Sequence, residues 1–307
     1  MKAVVYDRYG GPEVLSIAEV AIPSPGQTQV LVRVHATSVN LSDWECLQGT
    51  PLYARIGGLR SPARQVLGSD IAGRVEAVGS GVTRFRPGDE VYGDNLDLKG
   101  GFAEYAVASE SALALEPESL TFAEASTLPQ AAAIALQGTA GAGPGKSVLI
   151  NGAGGGSGSF AIQLAKSAGA HVTGVDNVCR TLRPRARPRR APFGIRVSQG
   201  ARSRRSVPLC RRDHAGVAAS CDGRCTHRDD DRPPRGVLAV KLGPAHFTPI
   251  AERHAAGHVD IHIDRRFALD EVSEALAHVG EGHALGKVVV EIARERGTAR
   301  ATGKSPV

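Results

Sequence analysis

A glycine-rich loop between a predicted strand and a predicted helix constrains the fold of this chain more than any other feature. The apolar stretch Ser147–Asn151 predicts a short buried strand, and Gly152–Gly158 follows it with the sequence GAGGGSG. Ser159–Ala168 then predicts a helix, and His171–Val175 predicts a second strand. Strand, glycine loop, helix and strand make one βαβ unit, which predicts a parallel sheet with helices packed on its faces.

The loop has the composition of a dinucleotide-binding site. Without a Cβ the backbone can approach a pyrophosphate, and the N–H groups at the start of the helix supply positive potential. We therefore assign pyrophosphate binding to six consecutive residues, Ala153, Gly154, Gly155, Gly156, Ser157 and Gly158. Asp176 ends the next strand, where a carboxylate accepts both ribose hydroxyls and favours NAD over NADP. The alternative is a small-residue turn beside a surface aspartate.

The first 110 residues have a different pattern, of short Val-rich strands separated by turns. The predicted strands are Lys2–Tyr6, Gln29–Val39, Ile71–Val78 and Phe102–Val107. Their spacing predicts a small antiparallel barrel or sandwich. An Ala-rich stretch, Leu120–Gly138, then predicts a helix.

The periodicity of apolar residues that predicts helices and strands stops after the βαβ unit and resumes at Gly236. From Gly236 onward the sequence predicts three strands and two helices. The strands are Gly236–Val240, Val259–Asp264 and Gly286–Glu291, and the helices are Thr248–Ala256 and Leu269–His278. Arg294–Val307 is predicted to be a disordered tail.

The net charge of +6 comes from the residues that lack this periodicity, Val178–Arg235. This Arg-rich segment holds 16 Arg, 5 Asp and no Lys or Glu, whereas the rest of the chain has a net charge of −5. Four of the five cysteines also lie in it, which is not the pattern of a secreted disulfide framework. Because the segment has no helix or strand periodicity, we expect it to be irregular and exposed.

Six stretches resemble the medium-chain dehydrogenase/reductase superfamily, in its zinc-free quinone-oxidoreductase-like branch. They are MKAVVYDRYGGPEVL, SVNLSDW, VLGSDIAGRVEAVGSGVTRFRPGDEVYG, STLPQAAAIALQ, VLINGAGGGSGSFAIQLAKSAGAHV and HALGKVVVEI. The resemblance implies an α/β fold with two domains. A GroES-like antiparallel β-barrel domain would comprise residues 1–118 and 262–293, and an incomplete Rossmann doubly wound parallel sheet would comprise residues 119–261.

The resemblance also bears on zinc and on the substrate pocket. Zinc-dependent relatives have a Cys at the position of Asn40 and a His-Glu pair at the positions of Ser69 and Asp70. Asn and Ser are poor zinc ligands, so we expect no zinc. Asn40 matches a polar residue that lines the nicotinamide pocket of relatives, and Asp43 belongs to the same motif. Both are candidate catalytic residues; the alternative is that they cap the turn after their strand.

Three hypotheses address the Arg-rich segment. A zinc module would use its cysteines and histidines, but their spacing matches no common finger. A nucleic-acid arm would use its arginines, but the segment has one aromatic side chain and an opposing Asp run. We favour a reading-frame slip, because synonymous codons for the segment, read one base later, can encode two family-like stretches in the proper order. The segment is also short for the missing Rossmann units.

The family implies an NAD(P)H-dependent, zinc-independent oxidoreductase that transfers hydride to a quinone, an enone or a related carbonyl. An enoyl reductase or alcohol dehydrogenase of the same superfamily is the second enzymatic hypothesis. If the Arg-rich segment breaks the Rossmann sheet, cofactor affinity is impaired. The competing hypothesis is then a non-enzymatic remnant that binds polyanions.

The expected partner is a small-molecule substrate. We expect no nucleic-acid partner. A homodimer is expected only because relatives commonly dimerise. No run of 18 apolar residues and no signal-peptide apolar region occurs. The sequence therefore predicts no membrane partner and a cytoplasmic location.

Overall fold

The computed structural model describes residues 1–56, 58–176 and 239–292. The predictions for residues 178–235 and for the tail 294–307 lie outside the described residues. So does most of the strand predicted at 236–240, and its described end, Ala239–Val240, is not in a strand.

The described residues contain eleven strands and six α-helices. The strands are β1 (Lys2–Val5), β2 (Ser16–Glu19), β3 (Gln29–Val39), β4 (Asp70–Val78), β5 (Glu90–Asp94), β6 (Tyr105–Ser109), β7 (Leu113–Leu115), β8 (Ser147–Asn151), β9 (His171–Val175), β10 (Ile263–Ala268) and β11 (Lys287–Glu291). The helices are α1 (Leu41–Gln48), α2 (Phe122–Ala125), α3 (Pro129–Gly138), α4 (Gly156–Ser167), α5 (Thr248–Ala255) and α6 (Val272–Gly280).

Seven strands form one large sheet around the long strand β3. Its order is β10-β11-β3-β4-β5-β7, and β6 also pairs with β3. All pairs are antiparallel except β10 with β11. Apolar residues alternate along β3, and Val30, Val32 and Val34 are buried in the core of this sheet. This sheet is the GroES-like part of the predicted α/β fold.

The last described strand closes this sheet against residues near the start of the chain. β11 pairs with the second half of β3, with Val288 opposite Val39 and Glu291 opposite Ala36. The first half of β3 pairs instead with β6. Residues from both ends of the chain therefore share a sheet, while the predicted domain boundaries stay a prediction.

The Rossmann-like part is a parallel pair, β8 and β9, covered by α4. Phe160 and Leu164 of α4 are buried, in a core that includes Phe247 and Ile250 near the start of α5. Both strands have the predicted bounds, because each apolar run is bounded by turn residues. α4 begins at Gly156, three residues before the predicted start, so the glycines themselves form its first turn.

Several predicted elements have shifted bounds; the strand predicted at Phe102–Val107, for example, is β6, Tyr105–Ser109. Two further differences have a clear physical cause. The helix predicted at Leu120–Gly138 is two helices, α2 and α3, because Pro129 has no N–H to continue the hydrogen-bond ladder of α2. The strand predicted at Val259–Asp264 is shifted to β10, Ile263–Ala268. Val259 is buried in the core around α5 rather than paired in a sheet. Its apolar side chain therefore led to a strand prediction that begins too early.

No helix within residues 1–56, 58–176 and 239–292 is both long enough and apolar enough to cross a bilayer.

Candidate cofactor loop and buried polar cluster

The glycine loop lies at the carboxyl ends of β8 and β9. The N–H groups of Gly152 and Ala153 donate to the carbonyl oxygen of Val175, at 2.8 and 3.1 Å. Gly155 takes the N-cap position of α4. Ligands of open parallel sheets bind at this edge, so the predicted site has the expected place in the fold.

The N-terminus of α4 has donors that suit an anion. No side chain caps it, and no acidic residue lies in its first turn. The first N–H groups of an α-helix have no partner within the helix, so those of Gly156, Ser157 and Gly158 are candidate donors to an anion. By this chemistry the loop fits the pyrophosphate of a dinucleotide.

Gly158 is the loop position where a side chain is least tolerable. A Cβ built on it would lie 2.1 Å from the carbonyl oxygen of Gly152 and 2.8 Å from the Cα of Ala153. Both are backbone atoms that a rotamer change cannot move. Glycine at 158 therefore lets α4 close against the loop.

Asp176 is part of the same unit as the loop. Its Oδ2 accepts a hydrogen bond of 2.6 Å from the N–H of Gly154. The structure thus brings Asp176 together with all six loop residues that the sequence singled out. Their binding role stays a prediction.

Asn40 and Asp43 lie at the start of α1. Asn40 is the N-cap, and its N–H donates to Asp43 Oδ2 at 3.0 Å. Asp43 Oδ1 accepts from the N–H of Gly68 at 3.2 Å, and the side chain is fully buried. Burial raises the pKa of Asp43, while these N–H groups oppose the shift. The structure thus gives Asp43 the turn-capping contact that the sequence also allowed.

The side chain of Asn40 joins a cluster around Asp70. Asn40 Nδ2 donates to Asp70 Oδ2 at 2.8 Å and to Ser69 Oγ at 3.3 Å. Asp70 Oδ2 also accepts from Ser38 Oγ at 2.8 Å, and Asp70 Oδ1 accepts from the N–H of Gln130 at 3.1 Å. Burial raises the pKa of Asp70, and the nearby Lys287 ammonium opposes that shift.

Lys287 supplies the positive charge that pairs with Asp70 in this cluster. Its Nζ donates to Asn40 Oδ1 at 2.6 Å and lies 3.5 Å from Asp70 Oδ2. The side chain is only 2% exposed, and burial lowers its pKa, while Asp70 raises it. A buried ammonium needs such a partner, because an unpaired buried charge is strongly destabilising.

A second carboxyl faces Asp70 from the neighbouring strand. Asp94 on β5 is the direct partner of Asp70 on β4 in the sheet register. Burial, followed by repulsion from Asp70, raises the pKa of Asp94 to about 7. Its Oδ1 accepts from the N–H of Leu96 at 3.1 Å, and within the described chain its Oδ2 accepts no hydrogen bond.

The two groups of predicted residues are separate, and Lys287 lies between them. The sequence did not single out Lys287, Asp94 or the hydrogen-bonding role of Asp70. The available signal was a charged residue at the first position of an apolar strand, as in Lys287-Val-Val-Val and Asp70-Ile-Ala. Such a residue is costly there unless it is paired.

A metal site was also sought among the described side chains. In residues 1–56, 58–176 and 239–292, no group of three His, Cys, Asp or Glu side chains could hold a metal ion. The independence of zinc stays a prediction.

Family models match two parts of this chain. The alcohol dehydrogenase GroES-like domain matches residues 26–118. The zinc-binding dehydrogenase model matches residues 147–290.

Relatives and solved structures extend the match to nearly the whole chain. A chloroplastic quinone-oxidoreductase of Triphysaria versicolor is 32% identical over 329 residues, covering 95% of this chain and 98% of its own length. A chloroplastic NADPH-dependent alkenal/one oxidoreductase of Arabidopsis thaliana is 38% identical over 59% of this chain and 47% of its own. The solved quinone oxidoreductase of Coxiella burnetii superposes with a TM-score of 0.71 at 24% identity, over 95% of this chain and 99% of that one.

Proposed function

The chain belongs to the medium-chain dehydrogenase/reductase superfamily, in its quinone-oxidoreductase-like branch, and on this basis we propose that it reduces a quinone, an enone or a related carbonyl with NAD(P)H and without zinc. The observation that carries the proposal is the glycine loop. It lies at the carboxyl ends of two parallel strands, next to an uncapped helix N-terminus, with the Asp176 carboxylate hydrogen-bonded to it.

The loop would hold the cofactor through its backbone. The N–H groups of Gly156, Ser157 and Gly158 would bind the pyrophosphate, while Ala153, Gly154 and Gly155 form the surface against which it lies. Asp176 would accept the ribose hydroxyls and repel a 2′-phosphate, so we propose NADH over NADPH. The named Arabidopsis relative is NADPH-dependent, so the test below includes both cofactors.

The acceptor site would be formed beside Asn40. Bound NAD(P)H supplies the hydride, and quinones and enones accept it without a Lewis acid because of their own electronic structure. Asn40 would shape this site from the start of α1, and Asp43 would hold the start of α1 in place through Gly68. The single proton that completes the reduction would come from water or from a pocket side chain.

The purified chain tests the proposal directly. It is titrated with NADH and NADPH while nicotinamide fluorescence is followed, and then assayed with 1,4-benzoquinone and methyl vinyl ketone, with and without EDTA. We expect saturable binding that is tighter for NADH, oxidation of the cofactor by either acceptor, and no effect of EDTA.

Other outcomes contradict particular parts of the proposal. Activity that EDTA removes and Zn²⁺ restores overturns zinc independence. Tighter binding of NADPH overturns the role of Asp176. Absence of NAD(P)H binding together with salt-sensitive binding of DNA or heparin favours the remnant, whose charge comes from the Arg-rich segment.

A further inference from the structure

Lys287 contacts the cofactor loop and the buried polar cluster at the same time. A Cβ on Gly156 would lie 2.7 Å from Lys287 Cδ, so the stem of the lysine rests directly on the first residue of α4. The neighbouring residues Gly155 and Gly286 form a parallel bridge. At the other end of the side chain, the ammonium donates to Asn40 Oδ1 at 2.6 Å.

The ammonium determines which way the Asn40 amide faces. A lysine ammonium has only donors, and an ionised carboxylate has only acceptors. Asn40 Oδ1 must therefore face Lys287, and Nδ2 must face Asp70, as the 2.6 and 2.8 Å contacts show. If the ammonium moved, the amide would lose one of the two contacts that fix its orientation, and Asp70 alone would hold it.

We propose that Lys287 is a positioning residue that couples the dinucleotide loop to the Asn40 amide, so that occupation of the loop by a dinucleotide sets the orientation of Asn40 at the acceptor site. This inference rests on the proposed function. The Lys287 side chain contacts the loop through its Cδ methylene group and contacts Asn40 through its Nζ ammonium group. A displacement of α4 by binding would be passed on through the Lys287 stem.

The chain offers a direct spectroscopic probe of this coupling. It contains only four asparagines, at positions 40, 95, 151 and 177. Selective ¹⁵N-asparagine labelling therefore gives four side-chain amide signals, and the signal that disappears in Asn40→Ser is that of Asn40. The apo protein can be measured before any cofactor is added.

Matched variants test the two contacts in the apo protein. Gly156→Ala places a methyl group 2.7 Å from Lys287 Cδ, so the lysine must move, and the Asn40 signal is expected to shift. Gly155→Ala is the control, because its Cβ would meet only the Gly152 carbonyl oxygen at 3.4 Å. Lys287→Met is expected to shift the signal and speed its hydrogen exchange, whereas Lys146→Met, which removes an exposed charge, should do neither. An Asn40 signal unchanged by Gly156→Ala overturns the coupling.

Added NADH tests the coupling in the liganded protein. In the parent chain, NADH is expected to shift the Asn40 signal. In Lys287→Met, NADH should still bind by fluorescence but leave that signal unmoved, and the kcat for benzoquinone should fall by about 100-fold, as expected for a misplaced group. If NADH moves the signal equally in both chains, the inference is wrong. If NADH does not bind the parent chain, the proposed function fails, and the apo variants alone decide whether the contact exists.

A double variant separates positioning from charge compensation. Lys287→Met alone leaves Asp70 buried without its ammonium, which destabilises the fold. Lys287→Met combined with Asp70→Asn removes both charges and is expected to recover the Tm but not the kcat. Recovery of both would show that Lys287 only neutralises Asp70, and would overturn the positioning role.

Discussion

At the scale of single residues, the three buried carboxyls of the polar cluster differ in how many hydrogen bonds they accept. Asp70 accepts three hydrogen bonds and lies beside an ammonium, and Asp43 accepts two backbone N–H groups. Asp94 accepts one, from Leu96, within the described chain. The carboxyl with the fewest donors, Asp94, has a pKa raised to about 7 by burial and by repulsion from Asp70, and few donors stabilise its charged form against this shift.

Asp94 should therefore make stability depend on pH between about 4 and 7. Its pKa in the folded protein is about 7, above the ordinary 3.8, so the folded state binds the proton more tightly than the unfolded state. This contribution is fully present below pH 3.8 and is lost as the pH rises through 7. Asp94→Asn should remove it, so that the variant gains stability relative to the parent chain as the pH rises. Each pKa unit corresponds to about 1.4 kcal/mol.

Urea unfolding at pH 5 and pH 8 measures this effect. Asp97→Asn is the matched control, because Asp97 is exposed in the same region and should change the difference little. If Asp94→Asn shifts stability equally at both pH values, the pKa of Asp94 is not raised in the folded protein.

Sequence spacing could predict that Asp176 lies next to the glycine loop, because the loop is one consecutive run and Asp176 ends the adjacent strand. The polar cluster could not be found in this way. Asp70, Asp94 and Lys287 come from β4, β5 and β11, and they meet only through strand register. That register depends on long-range pairing, which one sequence without its fold does not determine.

At the scale of elements, the junction between the glycine loop and α4 depends on one close backbone approach. The helix can start at Gly156 only because Gly158 has no side chain facing the Gly152 carbonyl. Gly152 itself has a φ of +73°, a conformation that glycine adopts without strain. The loop is therefore shaped by the absence of side chains.

Gly158→Ala should disturb both the fold and the proposed cofactor site. The backbone must shift to accept the Cβ, at a cost of about 1–3 kcal/mol in the free energy of unfolding. The displaced donors should weaken NADH binding by about tenfold, which is 1.4 kcal/mol. Urea unfolding and fluorescence titration measure the two effects.

Gly141→Ala is the control for this substitution. A Cβ at Gly141 would have no heavy atom within 4 Å, so its stability should change by less than about 0.5 kcal/mol. Equal effects of the two substitutions would show that the close approach at Gly158 does not matter.

Elements were predictable where their pattern was local. β3, β8 and β9 have the predicted bounds, since each is an apolar run between turn residues. The short strands β2 and β7 have three or four residues and too little periodicity to be recognised. β10 carries Arg265 and Arg266, both exposed, so its sequence lacks an apolar run.

At the scale of the whole molecule, the Arg-rich segment is the part of the chain that departs most from the rest in composition. We predict that the codons for Asn177–Val237, read in an offset frame, encode further strands and helices of the Rossmann sheet. A chain carrying that translation should bind NADH more tightly. It should also elute from heparin at lower salt, because it lacks the net charge of +11.

Resequencing the gene across these codons is the first measurement. An offset frame that encodes the continuation supports the reading-frame slip. A confirmed frame with no such alternative contradicts it, and the Arg-rich segment is then a feature of the natural protein. Comparing the two chains by NADH titration and heparin elution then shows which one binds the cofactor and which one binds a polyanion.

The pairing of β11 with β3 has a consequence for how this protein is made. During translation, Ala36–Val39 leave the ribosome about 250 residues before their partner strand is synthesised. Until then, that part of β3 has one unpaired edge, which is open to other nascent chains. The large sheet therefore cannot be completed before β11 has been synthesised, and an N-terminal fragment that lacks β11 should aggregate. This edge of β3 is protected from pairing with other chains only once β11 covers it.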